Sequence, residues 1–424
     1  MIEFEAESLQ EIKMSASIKV IGIGGAGGNT VSCIVDSGCK NIDFVIVNTD
    51  IQPLNLSKVE KKIQIGVKAT KGLGTGTDAE LGKRAAEEDL DKVMEVLEGA
   101  DIVFITAGMG GGTGSGVAPV IARALKEKGI LSIAVVTKPF LFEGKRRAQV
   151  AEQAIKLLAQ EVDTLIVIPN QKLLEITGQE VSMMEGFSMI NEILMQSVRA
   201  ISDIIVKPGH VNVDFADVRT IMKDRGLAVM GTGIASGQDR AEKAAIQATT
   251  SPLLENQSIA GAHSVLINIT GDKNLRIHEI SRAASIVHEQ VHEDANIIIG
   301  SVIDEEYADK ISITIIATGF EKKIGDFEKK IGDFENKRAV ESALDISNIK
   351  KNVHVYPTSR APQESTGAYF YEQEQKLAQS VESKIMGESK FGELKQENNG
   401  GATRIDFNDL DIPTFLRKEK QDQE

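Results

Sequence analysis

Asp101-Ile-Val-Phe-Ile-Thr-Ala-Gly-Met-Gly-Gly-Gly-Thr-Gly-Ser115, followed by Gly116, decides how the chain is read. Ile102 to Ile105 is a short, β-branched apolar run, the pattern of a parallel strand buried on both faces. Six glycines then fall within Gly108–Gly116. A helical pattern follows, with Pro119 expected near its first turn and Ile121, Leu125 and Ile130 on one face. Strand, glycine loop and helix in that order bring bare backbone N–H groups to the positive end of a helix dipole. Such a site holds an anion, most commonly a phosphate.

Working outward, Ile18 to Ile23 reads as another strand. Gly22, Gly24 and Gly27 satisfy GxGxxG between that strand and a helix through Val31 and Ile34. Phe44 to Val47 is a third strand, ending in Asn48-Thr49-Asp50. The acid at Asp50 keeps open a ribose contact and hence a nicotinamide oxidoreductase. A third glycine loop, Gly72 to Thr77, and the second loop at 108–116 favour a triphosphate held from several sides. The GxxxxGK[ST] pattern of P-loop enzymes is absent from the sequence.

The 424 residues exceed one ordinary domain. A net charge of −14 disfavours nonspecific nucleic-acid binding and a basic membrane patch. Two cysteines, Cys33 and Cys39, fit a reducing cytosol without a disulfide frame. The first residues lack the basic and apolar regions of a signal peptide, and no apolar run reaches the ~18 residues of a membrane span. A cytoplasmic protein is expected.

Further strands are expected at Leu131–Val136 and Leu165–Ile168, the latter ending in Asn170. A long helix is expected from Glu185 to Val206, stopped by Pro208-Gly209. Asp214 reads as an N-cap of a helix starting near Ala216. Strands at Ala228–Ile234, His263–Ile269, Ile297–Val302 and Lys310–Ala317 alternate with helices at Ala241–Ala248 and Ile277–Val291. His288-Glu-Gln-Val-His292 matches the HExxH zinc pattern, but its apolar neighbours mark a packing helix with a wet face. After Gly319 the segment Glu-Lys-Lys-Ile-Gly-Asp-Phe occurs twice, at 321–327 and 328–334. From there to residue 402 apolar content is too thin for a core, so a disordered linker of about 80 residues is expected. Its reach is about 50 Å. The final stretch regains apolar residues and reads as a docking peptide.

These motifs resemble the tubulin/FtsZ family, on the branch of the bacterial cell-division GTPases. The residues that carry the resemblance are Gly24–Asn29, Gly108–Gly116, Val135–Phe140, Phe142–Arg147, Asn212–Asp217 and Asp411–Arg417, in family order. The resemblance spans about 17–320 and the terminal peptide, not the linker. It implies GTP/GDP with Mg²⁺ carried on the phosphates, and no metal held directly by the protein. By motif it places Gly25, Ala26, Gly27, Gly28 and Asn29 in the first nucleotide loop and Gly112, Thr113 and Gly114 in the phosphate signature. Glu143 and Arg147 match ribose and phosphate contacts. Asn170, Phe187 and Asn191 match the guanine pocket. Asn212, Asp214 and Asp217 match the catalytic loop that acts on a neighbouring subunit's GTP. Asp411, Ile412, Pro413, Phe415, Leu416 and Arg417 match a peptide that recruits membrane-adaptor division proteins. Ser115 stands where threonine is usual, and Asn191 where many members carry aspartate.

The expected architecture is α/β. A flexible tail (1–16) precedes a Rossmann-like GTP-binding domain with a parallel sheet (17–184). A central helix (185–207), a second α/β, GTPase-activating domain (208–320), the linker (321–402) and the peptide (403–424) follow. The implied partner is a second copy, added head to tail at the midcell division site. The long helix supports that arrangement on geometry alone: at ~1.5 Å per residue it holds Asp214 roughly 30 Å from the base. A non-hydrolysing, nucleotide-gated scaffold is the other reading of the same residues.

Overall fold

The computed structural model describes residues 16–39, 41–176, 181–207, 213–254 and 259–320. The acidic lead through residue 15, Asn212, the doubled segment, the linker and the terminal peptide lie outside the described residues.

Period-2 and continuous apolar runs produce ten strands among the described residues, in one sheet of order β3-β2-β1-β4-β5-β6-β7-β10-β8-β9. The first half comprises β1 (Ile18–Ile23), β2 (Asp43–Asn48), β3 (Lys61–Gln64), β4 (Ile102–Gly108), β5 (Leu131–Lys138) and β6 (Thr164–Pro169), all parallel. Helix α1 (Gly24–Asp36) links β1 to β2, and α2 (Ile51–Leu56) links β2 to β3. Between β3 and β4 run α3 (Val67–Thr70), α4 (Ala79–Glu88) and α5 (Leu90–Leu97). Helix α6 (Gly112–Glu127) joins β4 to β5, and α7 (Lys145–Glu161) joins β5 to β6. Strand β6 passes directly into α8 (Asn170–Ile176).

Alternate residues of this half face two cores, as a sheet covered on both faces requires. Val20, Phe104, Ile133 and Ile168 pack with Val31 and Ile34 of α1, whereas Ile21, Val103, Ile105 and Val136 pack with Val117, Ile121 and Leu125 of α6.

The long helix α9 (Met183–Val206) starts at Ser182. Ser182 Oγ accepts from Glu185 N at 3.2 Å and the Glu185 carboxylate accepts from Ser182 N at 2.8 Å. These reciprocal bonds close the first turn. They also hold the Glu185 carboxyl below its ordinary value. Ile190, Leu194, Val198, Ile201 and Ile204 form the buried stripe.

The second half contains α10 (Phe215–Met222), β7 (Gly226–Ser236), α11 (Arg240–Thr249), β8 (Ser264–Gly271), α12 (Ile277–His288), β9 (Asn296–Ile303) and β10 (Lys310–Thr318). Strand β7 pairs with β6 over three positions only, Gly226, Leu227 and Ala228, then turns fully to antiparallel pairing with β10. Leu266, Val302 and Ile316 of this half share the core lined by α9, so that helix serves both halves of the sheet. Its end is tied down by charge: Lys207 Nζ lies 2.9 Å from Asp203 and 3.3 Å from Asp304.

Two expectations change. Helix α12 stops at His288, so His288 and His292 do not share a helical face, and the HExxH pattern has no zinc-site geometry. Helix α6 begins at Gly112, seven residues before Pro119, which is buried in its interior. Gly112, Gly114 and Gly116 are therefore helical, and only Met109–Gly111 form the turn between β4 and the helix.

Candidate functional site

Strand order reverses between β1 and β4, and α1 and α6 leave the sheet there at its carboxyl edge. In open α/β sheets that crevice is where ligands bind. Neither helix has a side-chain cap: Ile23 precedes α1 and Gly111 precedes α6. Two positive helix ends, uncovered by side chains, thus share one crevice, an arrangement suited to a polyphosphate.

Close packing explains the glycines. A Cβ on Gly27 would strike the Thr106 carbonyl of β4, and one on Gly112 would lie 2.5 Å from Asp78 O and 2.6 Å from Thr75 Oγ1. Gly25 and Gly28 differ, since a Cβ there meets nothing within 4 Å. They face open space, beside a cavity of about 260 Å³ lined by Gly24, Gly25, Gly28, Asn29, Pro53 and Ser57. Gly112 N donates to Gly76 O at 2.7 Å, so it holds the neighbouring loop. Gly110, at φ +102, turns the chain into the helix, and its N–H donates to Ser115 Oγ at 2.9 Å.

Three hydroxyls meet at this edge. Thr113 Oγ1 lies 2.7 Å from Thr49 Oγ1 and 2.9 Å from Thr75 Oγ1. They join the ends of β2, the third glycine loop and α6. Asp50, the candidate ribose acid, instead caps α2 by accepting from Gln52 N at 2.9 Å.

The opposite wall is aromatic and amide-rich. Glu143 accepts from Arg147 Nη1 at 2.6 Å and from Phe140 N at 2.9 Å, which fixes the turn after β5. Phe140 stacks on Phe142 at 4.9 Å and meets Phe187 of α9 edge-on at 5.6 Å. Phe187 nevertheless remains 38% exposed, an aromatic face left available. Asn170, at the start of α8, is buried, and its Oδ1 has no hydrogen-bond partner among the described residues. An orphaned buried acceptor is expensive unless a ligand supplies the donor. Asn191, one turn beyond Phe187, lies 3.3 Å from Thr30 Oγ1 on α1. Direct contacts link part of this set: Asn191 to Thr30 of α1, Phe187 to Phe140, and Glu143 to both Phe140 and Arg147. Phe140, Thr30, Thr49 and Thr75 make these contacts without having been singled out.

Asp214 and Asp217 stand elsewhere. Nineteen residues separate Phe187 from Val206 along α9, about 28 Å at helical rise. Helix α10 sits at the amino edge of the sheet, where Thr164 Oγ1 at the start of β6 donates to Met222 O and Arg219 Nη2 donates to Gly129 O at 3.3 Å just before β5. Asp214 takes the N-cap position of α10, but its carboxylate makes no cap hydrogen bond, and both aspartates are exposed. The plain capping role is not filled.

A doubly wound sheet with two uncapped, glycine-rich helix ends at its switch point defines an α/β nucleotide-binding protein. Residues 17–178 match the Tubulin/FtsZ family GTPase domain, and residues 226–321 match the FtsZ family C-terminal domain. The chain belongs to the tubulin/FtsZ family. It is 39% identical to an empty FtsZ dimer of M. jannaschii (TM-score 0.71), covering 74% of this chain and 90% of that one. It is 25% identical to GDP-bound CetZ1 of Haloferax volcanii (TM-score 0.64; 72% and 95% covered). It is likewise 25% identical to CetZ2 of the same organism, a GTPγS-bound protofilament (TM-score 0.62; 76% and 99% covered). Membership supports guanine-nucleotide binding and GTPase activity, and leaves the nicotinamide reading without support.

Proposed function

We propose that this chain is a filament-forming GTPase whose active site is completed by the next subunit. The observation that carries the reading is the uncapped, exposed carboxylate of Asp214 beyond the far end of α9. It is too distant to serve a nucleotide at the glycine crevice of its own chain. Head-to-tail stacking would bring it against the neighbour's crevice, and such a heterologous contact propagates as a filament. The dimer and protofilament among the similar structures accord with self-association.

In this reading the first turns of α1 and α6 hold the phosphates. Phe187, Asn170 and Asn191 hold guanine, and Glu143 and Arg147 hold the ribose side. Asp214, Asp217 and Asn212 of the adjoining copy orient the attacking water and stabilise the charge that develops as the γ-phosphate leaves. Mg²⁺ on the phosphates would offset that charge. The neutral hydroxyls of Thr49, Thr75 and Thr113 are hard oxygen donors suited to its water shell. Residues 208–320 then act as an activating domain for another molecule. The 411–417 peptide would recruit membrane adaptors, placing the filament at a division site at midcell. Among the described residues no helix is long and apolar enough to cross a membrane.

Phosphate release per molecule, followed with light scattering across protein concentration, tests the proposal. Turnover should rise steeply at the concentration where scattering appears. A rate per molecule that is flat through that threshold excludes the neighbour's participation.

A further inference from the structure

We propose that Thr49 and Thr75 are positioning residues for phosphate binding: both hydroxyls donate to Thr113 Oγ1, which leaves the Thr113 proton for the nucleotide. The inference rests on the assignment of the first turn of α6 to the phosphates. It adds the two residues that fix what Thr113 can recognise.

Three protons are shared among three oxygens. Thr113 Oγ1 lies 2.7 Å from Thr49 Oγ1 and 2.9 Å from Thr75 Oγ1. Both are distances of O–H···O bonds. Each hydroxyl has one proton and two lone pairs. Two bonds use two protons, and one is left over. Thr49 is fully buried, and Thr75 is 7% exposed. Among the described residues neither hydroxyl has another hydrogen-bond partner. Were Thr113 to donate to either, that residue's own proton would be stranded away from water, at the cost of a buried unsatisfied donor. The arrangement without that cost has both donating to Thr113. It fills both lone pairs of Thr113 Oγ1 and makes the Thr113 proton the spare one.

Thr113 is also the member of the three that is only half-buried. It sits beside the first nucleotide loop, where a Cβ on Gly24 would come within 3.4 Å of Thr113 Cβ and of Gly114 N. The spare proton thus belongs to the first turn of α6, at the positive end of its dipole. The acceptor that suits it carries negative charge and no proton of its own, as an ionised phosphate oxygen does. The two bonds that Thr113 accepts polarise its hydroxyl and strengthen the bond it gives. Thr49 and Thr75 keep lone pairs for a hydrated cation, while Thr113 supplies the proton. The donor is assembled from three segments: the end of β2, the third glycine loop and α6.

The experiment is equilibrium GTP binding to nucleotide-free, full-length protein carrying Thr75→Val, Thr75→Ser, Thr49→Val, Thr113→Val, or either valine variant combined with Thr113→Val. Valine keeps the shape and removes the hydroxyl. Thr113→Val should weaken GTP about twentyfold, the effect of losing a bond to a charged group. Thr75→Val and Thr49→Val should each weaken it about threefold, near the lower end for one neutral hydrogen bond. Thr75→Ser should bind as the unaltered protein does. Each double variant should match Thr113→Val alone, because the two residues act only through Thr113. A threefold loss that persists in the Thr113→Val background would show that they shape the loops, and would overturn the proposal. So would a Thr75→Ser protein as weak as Thr75→Val. Thr49→Val lies on a separate segment, so it decides the question even where the loop variant fails to fold. If Thr113→Val binds GTP normally, the phosphate assignment of Thr113 fails, and the role of its two neighbours fails with it.

Discussion

Replacing Asp214 with alanine should separate catalysis from folding. Removing an aspartate N-cap ordinarily costs about 0.5–2 kcal/mol. Here the carboxylate accepts no cap hydrogen bond and is exposed, so only its interaction with the dipole of the short α10 is lost. That term is about 0.3–0.5 kcal/mol, or roughly 1 °C in Tm for a unit of this size. Affinity for GTP should change less than about twofold. The carboxylate is separated from Phe187 by about 28 Å of helix, several Debye lengths at physiological salt. Turnover should fall by about 10²–10⁴, the contribution of a positioned carboxylate, or roughly 3–5 kcal/mol of transition-state stabilisation. Thermal unfolding, equilibrium GTP binding and phosphate release at a saturating protein concentration give the three numbers. A Tm loss of several degrees with a matching loss of activity would refute the reasoning. Weakened GTP binding with intact turnover would also refute it, since the carboxylate would then serve its own chain's nucleotide.

Gly27→Ala should destabilise by about 1–3 kcal/mol in chemical denaturation and weaken nucleotide binding, because its Cβ meets the Thr106 carbonyl. Gly25→Ala should keep its stability and lose only affinity, since that Cβ enters open space. Asn170→Ala should leave unliganded stability within about 1 kcal/mol, as its Oδ1 bonds nothing among the described residues, yet reduce the rise in Tm on adding GTP. A third test is acid stability. Arg240 bonds Glu279 at 2.8 and 3.2 Å and lies 3.6 Å from Asp272. Burial pushes the Glu279 carboxyl up, but its bonds to Arg240 and to the Arg276 backbone prevail and hold it below its ordinary value. The Asp272 carboxyl is also held below its ordinary value, chiefly through its bond to Asn274. Depressed carboxyls stabilise the fold above their unfolded values, and that stability is lost as pH falls through the folded ones. Arg240→Met should therefore lower Tm by about 4 °C at neutral pH, and the gap from the unaltered protein should close below about pH 4.

Strands such as Ile18–Ile23 and Leu131–Val136 were legible because unbroken apolar runs bounded by glycines have few other interpretations. Strand β3 was not, because Lys61-Lys-Ile-Gln64 is an edge strand, charged and only partly covered. The helical state of Gly112–Gly116 was hidden by composition. Glycine disfavours helix, and only the approach of Asp78 O to Gly112, Gly108 O to Gly114 and Ala79 O to Gly116 shows why no Cβ fits at those positions. The end of α12 was misplaced at Val291 because that residue, though apolar, packs on the core from beyond the helix end. The site divides in the same way. Glycine loops, strand-end amides and the aspartates of α10 are local patterns. Thr49, Thr75 and Thr113 meet across 38 and 64 positions of sequence, and Thr30 meets Asn191 across 161. No periodicity marks such pairs, and only the strand order brings them together. Phe140 was within reach, since Pro139-Phe140 follows a strand at the carboxyl edge.

The most direct measurement mixes two disabled proteins. Asp214→Ala keeps the nucleotide crevice and lacks the carboxylate. Gly25→Asp keeps Asp214 but places a negative charge where the phosphates belong, at a position whose Cβ faces open space. Each alone should release almost no phosphate. In an equal mixture about one contact in four joins an intact crevice to an intact carboxylate, so turnover should recover to about a quarter of the unaltered rate. A mixture no faster than the sum of its parts would contradict an active site shared between neighbours.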